Sequence, residues 1–388
     1  MEFTILIGGD IQPGLRYIPL FRRGDAATIF GDLLKEFKDT EFSIVNLESP
    51  FIEKPTPILK AGSVFGIDSS CISGLLESGI DAVCLANNHI MDHGANGLRF
   101  TLETCNRNGL LNVGAGKDLS EASRLLIINI KGKRIAFLAM ADHEFSIAGR
   151  NAWGVNPTDL ISFVRTVKEN HSNYDFLIVL LHEGVEYYSF PSPRLQKFCR
   201  FIVEEGANAV ICQHSHCPGS YEFYKDVPIV YGQGDFISEN CSHLADPRGF
   251  LTKLTLYDDN TQMEIIPYTQ IPQEGVRRMH RTEKERFISD LEERNKLLYD
   301  PDLLEDAWQR YCEKQTNYYI ALLRGYGRYF RKLNSIFHLE RFSSSKQVTS
   351  LLHLVRCEAH REVMQTILEQ LYHKKRAFQP ENNAYNKT

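Results

Sequence analysis

Short apolar runs, several of them ended by Gly, Asn or His, recur from Met1 to about Pro267 and constrain the fold more than any other feature. Continuous apolar runs of this length are typical of β-strands covered on both faces. They alternate with segments such as Ala26 to Phe37 and Pro193 to Glu205, which are predicted to be helices. This alternation predicts a layered α/β domain. The predicted strands are FTILIGG, FSIVNLES, DAVCLANN, LLIINI, RIAFLAMA, FLIVLLH, NAVICQH, PIVYGQG and TKLTLY.

The pattern changes after about Glu274, where charged and aromatic helical segments replace the strands. VRRMHRTEKERFISDLEERNKLLYD predicts a charged helix, a longer aromatic helical stretch is interrupted near Gly325 and Gly327, and KQVTSLLHLVRCEAHREVMQTILEQLYHKK predicts two more helices. We therefore predict an α/β domain at residues 1–274 and a helical C-terminal region at residues 275–388. That region is a possible surface for a protein partner.

One part of the C-terminal region is both basic and aromatic. A segment of this kind can bind nucleic acid, an acidic polymer or a membrane surface. Alternatively, it is a helix that packs on the main domain with its charged groups in solvent. We expect the packed helix. The basic residues are Arg324, Arg328, Arg331, Lys332 and Arg341.

The charge balance and the cysteines restrict the class of protein. The formal net charge of -5 gives no general reason to expect nucleic acid as a partner. The N-terminal apolar run from Phe3 to Ile7 is too short for a signal peptide, and no apolar run is long enough to span a bilayer. The nine cysteines have no framework spacing and fit reduced thiols. We therefore expect a cytoplasmic protein without a transmembrane segment.

Polar side chains follow the predicted strands where each apolar run stops. In open α/β sheets the active site lies beyond the carboxyl ends of the strands, so these side chains are expected to meet there. The residues are Asp10, Asn46, Glu48, Asn87, Asn88, His182, His214 and His216.

The stretch CLANNHIMDHGANGL is the most specific of these strand ends. Asn88 can supply an amide oxygen to a metal, and His89 is suited to protonate a leaving group. Asp92, three residues further on, can orient the His89 ring. The alternative is an Asn/His-rich turn with a capping role, and we favour the functional interpretation.

The stretch NAVICQHSHC, Asn208 to Cys217, has two explanations. A structural zinc knot would pair Cys212 and Cys217 with a second half of matching spacing, and no such half exists in the sequence. We therefore interpret Cys212 as a core residue and Cys217 as a loop thiol. His214 and His216 then become two ligands of a site that other strand ends complete.

The strand ends together predict a metal centre for hydrolysis. Two carboxylates, one amide and three histidines form a mixed nitrogen and oxygen ligand set for one or two divalent ions, here Mn, Fe or Zn. The predicted ligands are Asp10, Glu48, Asn88, His182, His214 and His216, with His89 and Asp92 as catalytic residues. The substrate-pocket candidates are Gln12, Asn46, Asn87, Glu183, Glu186 and Asp235.

The order GD, NLE, NNHxxDxG, HEGxEY, QHSHC and YGQGDF resembles the CapA/PgsA-type family of capsule and poly-γ-glutamate biosynthesis proteins over about residues 2–240. NVGAGKDLSEAS followed by GKRIAFLAM also resembles that family's middle region. The resemblance implies a four-layer α/β/β/α sandwich of the calcineurin-like metallophosphoesterase type and a dinuclear metal centre. It implies that Glu48 is the bridging acid.

The sequence departs from the family pattern at three positions, of which Gln12 bears on one metal position and the other two bear on the pocket edge and the substrate. Gln12 stands where classical phosphoesterases carry a histidine, Glu183 replaces the usual aromatic residue, and Asp235 replaces the usual asparagine. We expect a metal-dependent phosphoesterase acting on a small molecule or an anionic polymer. The alternatives are a non-hydrolytic accessory protein in poly-γ-glutamate or capsule biosynthesis, and a scaffold that binds partners through its helical C-terminal region.

Overall fold

The structure is a computed structural model that describes residues 2–239, 246–258, 260–271, 274–323 and 344–377. Over these residues the chain forms two large β-sheets with helices on their outer faces. All the strands predicted from the sequence are present, with ends that differ by a few residues.

The first sheet has eight strands within the described residues. Its order is β18-β17-β16-β1-β2-β5-β6, and β15 also pairs with β1. The strands are β1 Phe3–Gln12, β2 Phe42–Leu47, β5 Ala82–Cys84, β6 Leu111–Val113, β15 Asp235–Ser238, β16 Arg248–Leu256, β17 Thr261–Ile271 and β18 Gly275–Arg278.

The second sheet has the order β13-β14-β12-β11-β9-β8. Its strands are β8 Leu126–Ile130, β9 Lys133–Ala141, β11 Phe176–His182, β12 Ala209–Gln213, β13 Tyr221–Tyr224 and β14 Val227–Val230. Two small pairs complete the strands: β3 Phe51–Ile52 with β4 Ile67–Asp68, and β7 Ala115–Gly116 with β10 Gly154–Val155.

The helices lie mainly between strands and at the C-terminal end of the described chain. They are α1 Ile18–Arg23, α2 Ala26–Phe30, α3 Leu34–Asp39, α4 Ile72–Ser78, α5 Gly94–Arg107, α6 Leu119–Ala122, α7 Leu160–Asn170, α8 Pro193–Glu204, α9 Arg281–Asn295, α10 Pro301–Leu323, α11 Ser345–Arg356 and α12 Glu358–Ala377. The helix predicted from Ala26 to Phe37 is broken at Gly31, whose φ of 51° is a conformation that glycine adopts readily.

The two sheets pack face to face. Phe3 lies 5.6 Å from Phe176 and Phe42 lies 5.3 Å from Phe137 between ring centroids, so aromatic pairs join the inner faces. Side chains of α1, α2 and α3 cover the first sheet, and those of α7 and α8 cover the second. The predicted four-layer α/β/β/α architecture is confirmed.

The predicted domain boundary at residue 274 falls inside the first sheet. Strand β18 pairs with β17, and Phe287 and Leu291 of α9 belong to the core of the same sheet. The α/β unit therefore continues beyond residue 274, and we propose to place the boundary near Asp300, just before α10.

The helices α10, α11 and α12 share a separate apolar cluster that includes Trp308, Leu354 and Val363. Val185 and Tyr188, from the segment after β11, belong to it as well, so this helical unit packs on the α/β domain. The basic aromatic segment, including Arg324, lies outside the described residues. Within the described part of the chain, no helix combines the length and apolarity that crossing a membrane requires. The cytoplasmic location remains a prediction.

Candidate metal centre

Strand β1 delivers Asp10 to the carboxyl edge of the first sheet. Asp10 is paired in parallel register with Asn46 of β2 and with Asp235 of β15. Gly9 is needed just before it, because a Cβ there would lie 2.4 Å from the carbonyl oxygen of Gly234. Burial raises the pKa of Asp10 to about 6, and the nearby Glu48 carboxylate adds to this effect.

Glu48 is a fully buried carboxylate without a conventional partner. Among the described residues, neither of its oxygens has a hydrogen-bond partner, and its nearest ion-pair contact is His182 Nε2, 3.5 Å from Oε1. Burial raises the pKa of Glu48 above its usual range. Burying a carboxylate without hydrogen-bond partners costs free energy of folding unless a nearby cation offsets its charge.

His182 ends β11 and lies opposite Asp10, since the carboxyl edges of the two sheets face each other. Its Nδ1 lies 3.2 Å from the Asn46 amide nitrogen, which also donates to Asp10 Oδ1 at 2.7 Å. Its Nε2 lies 3.0 Å from Asn88 Oδ1 and 3.1 Å from His214 Nδ1. Burial lowers the pKa of His182 to about 4, so the ring is neutral at pH 7 and can ligate a metal.

The turn after β12 holds His214 and His216 in unusual backbone conformations. Their φ angles are 90° and 53°, a region that non-glycine residues enter at a cost of about 1–3 kcal/mol. The His214 backbone N–H donates to Asp10 Oδ2 at 3.2 Å, and His216 Nδ1 lies 2.7 Å from Asp235 Oδ1. Although burial disfavours a charged ring, Asp235 raises the pKa of His216 well above its usual value.

These side chains form three overlapping groups with metal-ligand spacing. In each group the ligand atoms lie within 4.8 Å of one another, and Glu48 belongs to two of the groups. The groups are Asp10, Glu48 and His182; Glu48, His214 and His216; and Asp10, His216 and Asp235. The arrangement suits two cations that share Glu48.

His89 and Asp92 form a second functional unit beside the ligands. His89 Nδ1 lies 2.7 Å from Asp92 Oδ2, and the other oxygen of Asp92 lies 2.7 Å from Lys60 Nζ. The backbone N–H of Phe65 also donates to Asp92, and the Phe65 ring lies 4.1 Å from the His89 ring. Asp92 is therefore fixed from three sides and orients His89.

A cavity of about 390 Å³ opens over the cluster. Asn88, His89 and His216 line it on the side of the ligands. The remaining lining residues come from other segments and are Gln12, Lys60, Ala61, Gly62, Ser63, Phe65, Glu144, Glu186, Tyr187, Glu239 and His353.

Of the predicted pocket candidates, Gln12 and Glu186 line the cavity. Asp235 instead contacts His216. Asn46 and Asn87 are fully buried beneath the ligands, where Asn87 donates to Asn46 and accepts the backbone N–H groups of His89 and Ile90. These two asparagines position other side chains and do not reach the cavity.

Glu183 also does not line the cavity. Its buried carboxylate forms an ion pair with the partly exposed Arg194, which also pairs with Glu362 of α12 at 3.2 Å. The reason is the alternation of extended backbone: when His182 points to the cluster, the next side chain points away.

Several residues that line the cavity were not predicted from the sequence. Lys60 lies in an aperiodic loop, Tyr187 stands next to the predicted pocket residue Glu186, and His353 comes from α11, far along the chain. Glu144 follows β9 in ADHEF, so its position just past a strand end was a usable signal. Burial opposes ionisation of Glu144, but His353 and His214 hold its pKa well below the usual range.

The cysteines of NAVICQHSHC do not take part in the cluster. Cys212 is fully buried with its sulfur 3.6 Å from that of Cys199, and Cys217 lies 3.7 Å from the Ser189 hydroxyl. Within the described chain, no group with metal-ligand spacing contains either cysteine. This agrees with their interpretation as packing residues.

Comparisons with known proteins point to one family. The family model described as "Bacterial capsule synthesis protein PGA_cap" matches residues 4–240. The "Capsule biosynthesis protein CapA" of Bacillus anthracis is 27% identical over 245 residues, which are 61% of this chain and 60% of that protein. The chain thus spans less than two thirds of this relative.

A "probable polyglutamine synthesis accessory protein" of Mycobacterium tuberculosis is 31% identical over 171 residues, 40% of this chain and 45% of the relative. Among solved structures, the "calcineurin-like phosphoesterase YfkN" of Bacillus subtilis matches with a TM-score of 0.42 at 13% identity. That match covers 77% of this chain and 99% of the other.

Proposed function

The chain belongs to the bacterial capsule synthesis family PGA_cap, and from this premise we propose that it is a metal-dependent phosphoesterase with a dinuclear centre. Family membership does not specify a reaction, so we infer the reaction from the residues of the cluster.

Glu48 is the single observation on which the proposal depends. Its two oxygens are buried and have no hydrogen-bond partner among the described residues, while imidazoles and carboxylates surround them. A structural carboxylate would be hydrogen-bonded. A carboxylate shared between two cations satisfies both oxygens, so the residues fit a dinuclear centre.

We assign the ligands from the overlapping groups. Asp10, Glu48 and His182 would hold one cation with the Asn88 amide oxygen beside them, and Glu48, His214 and His216 would hold the other. Asn46 orients Asp10 and His182, and Asp235 orients His216, as carboxylates and amides behind metal ligands commonly do. Mixed nitrogen and oxygen donors suit Mn, Fe or Zn.

A divalent centre of this type activates water as a nucleophile and withdraws charge from a phosphoryl oxygen. His89 acts as the general acid, since its Nδ1 contacts Asp92 and the ring lines the cavity. Lys60 holds the Asp92 carboxylate in place through its contact at 2.7 Å. Glu186 and Tyr187 line the cavity wall, where a bound substrate would contact them.

Metal content and turnover test the proposal together. The purified chain should hold up to two equivalents of Mn, Fe or Zn at this centre and hydrolyse members of a phosphoester panel. Stripping with a chelator should abolish turnover, and adding metal back should restore it. A protein that binds no stoichiometric metal, or one that is metal-loaded and hydrolyses no phosphoester, would contradict the proposal.

The second candidate is a non-hydrolytic accessory role in the synthesis of an anionic polymer. The names of the relatives favour it, as does Gln12 at the position where classical phosphoesterases carry a histidine. In this case the loaded centre binds poly-γ-glutamate or a capsule glycan without turnover. Metal-dependent binding of poly-γ-glutamate by a loaded protein that leaves every phosphoester intact would favour this candidate.

A further inference from the structure

The junction between α11 and α12 gathers three metal-ligating side chains outside the centre described above. His353 lies in the last turn of α11, Cys357 is the residue between the helices, and His360 lies in the first turn of α12. Their ligand atoms lie within 4.8 Å of one another. The two imidazole rings are 4.5 Å apart between centroids.

The backbone of this junction is fixed. The N–H of Cys357 donates to the carbonyl of His353 at 2.9 Å, and its own carbonyl accepts from Arg361 at 2.9 Å. The ψ angle of Cys357 is 122°, which ends one helix and starts the next. Ligands on two connected helix ends are held in place before a metal arrives, which lowers the entropic cost of binding.

Each of the three side chains also has a polar partner behind it. His353 Nε2 lies 3.3 Å from Glu144 Oε2, and His360 Nδ1 lies 2.6 Å from the Tyr319 hydroxyl. The Cys357 thiol donates to Asp142 Oδ2 at 3.2 Å. Metal-binding histidines are regularly supported in this way by a carboxylate or another polar group.

The cluster has the composition of a zinc site. Cys357 is 1% exposed, and burial lowers the pKa of His360 to about 4, so that ring is neutral and has an available lone pair. One thiolate with two imidazoles is a donor set that zinc favours over harder cations. The Asp142 carboxylate also accepts the backbone N–H groups of His143, Glu358 and Ala359. Because it already contacts the Cys357 thiol, it is our candidate for a fourth position.

We propose that His353, Cys357 and His360 bind one zinc-type ion that fixes α11 to α12 beside the wall of the cavity. On binding, the Cys357 thiol releases its proton to solvent and the sulfur donates an electron pair to the metal. The ligand atoms need to close to about 3.5 Å from one another, as tetrahedral zinc requires. A metal bound here would hold His353, and through it Glu144, at the cavity wall. The metal site does not depend on the proposed phosphoesterase activity.

Cobalt substitution separates this site from the first one. The first centre is assigned only oxygen and nitrogen ligands, so a thiolate-to-cobalt charge-transfer band in the near ultraviolet can arise only from a cysteine ligand. The full chain, stripped of metal and titrated with Co²⁺, should develop this band to one equivalent. Cys357→Ser should remove the band and one equivalent of cobalt, while cobalt at the first centre remains.

Cys312→Ser is the matched control, since Cys312 is also fully buried in the same helical cluster and has no place in the site. It should leave the band unchanged. A wild-type protein that binds cobalt without a thiolate band overturns the proposal, and so does a band that survives in Cys357→Ser. A protein with the band and no phosphoesterase turnover supports this site and contradicts only the proposed function.

A second measurement leaves the Cys357 thiol unchanged. Glu48→Gln disables the first centre, so Zn²⁺ added to this stripped variant should still raise its Tm through the second site. Adding His360→Gln to the same variant should abolish that rise. An equal rise in both variants would overturn the proposal.

Discussion

His89 Nδ1 lies 2.7 Å from Asp92 Oδ2, so a carboxylate buried behind the cavity holds a ring that lines it. The contact leaves the opposite nitrogen of the ring for a substrate, which is the orientation that a general acid needs. The same geometry makes the role of His89 testable without disturbing the metal.

His89→Gln should lower kcat for an alkyl phosphate by about 10²–10⁴-fold and leave the metal content unchanged, because His89 is not among the assigned ligands. The loss should be much smaller for 4-nitrophenyl phosphate, whose leaving group needs little protonation. Steady-state kinetics and elemental analysis measure both effects. The exposed His171→Gln is the control. Equal losses on the two substrates would argue against acid catalysis.

Glu48→Gln should abolish metal binding at the shared position and yet stabilise the metal-free protein by about 1–2 kcal/mol, because it removes a buried charge without partners. Urea unfolding in the presence of a chelator measures this difference. A stability loss in Glu48→Gln would mean that the carboxylate has a structural partner.

Glu222→Gln is the matched control for this experiment. Glu222 is equally buried but is held by Arg200 at 2.6 Å and by the Tyr231 hydroxyl at 2.7 Å. Breaking that pair should lower the free energy of unfolding by about 3–5 kcal/mol, whereas Glu48→Gln should raise it.

Asp10 should make the metal-free protein less stable as the pH rises. Its pKa is about 6 in the folded protein against a usual value of 3.8, so the folded state binds a proton that the unfolded chain has released. The contribution of Asp10 to the free energy of unfolding is greatest below about pH 4 and is lost as the pH rises through about 6. The total change is on the order of 3 kcal/mol.

Asp10→Asn should flatten this dependence, and urea unfolding at pH 5 and pH 8 in chelator is the measurement. Excess Mn²⁺ should remove the loss in the wild type, since the cation favours the ionised carboxylate. Parallel pH profiles for the wild type and Asp10→Asn would refute the assignment.

Lys60 and Asp92 should be strongly coupled, because both side chains are at most 1% exposed and lie 2.7 Å apart. Lys60→Met leaves the Asp92 carboxylate without its cation and should cost about 3–5 kcal/mol. Lys60→Met with Asp92→Asn should recover a large part of that stability but no activity, because His89 loses its carboxylate. A double-mutant cycle measures the coupling, and additive effects would contradict it.

The sequence predicted the parts of the site that follow from strand periodicity. Asp10, His182 and His214 were found because each stands where an apolar run stops, and the parallel pairing of the strands brings such ends together. The direction of a side chain just past a strand end was harder to predict. Glu183 was assigned to the pocket, yet it pairs with Arg194 on the opposite side of the backbone.

The residues that were missed depend on tertiary contacts. Lys60 lies in a segment with no periodicity, and only its contacts with Asp92 and the Asn88 carbonyl reveal its role. His353 reaches the cavity because α11 docks on the loop after β9, more than 200 residues earlier in the chain. The docking of a helix on a loop so distant in sequence leaves no local pattern from which this partner can be recognised.

The pairing of β1 has a consequence for how the chain folds during synthesis. β1 lies between β2 and β16, and its register partners in β16 are Thr252 to Leu256. Its second edge therefore stays open until the ribosome has made nearly the whole α/β domain. Such distant pairing slows folding and exposes an apolar edge to other chains. Chaperone dependence and aggregation at high expression are thus expected to arise from β1 rather than from the cluster of ligands at its end.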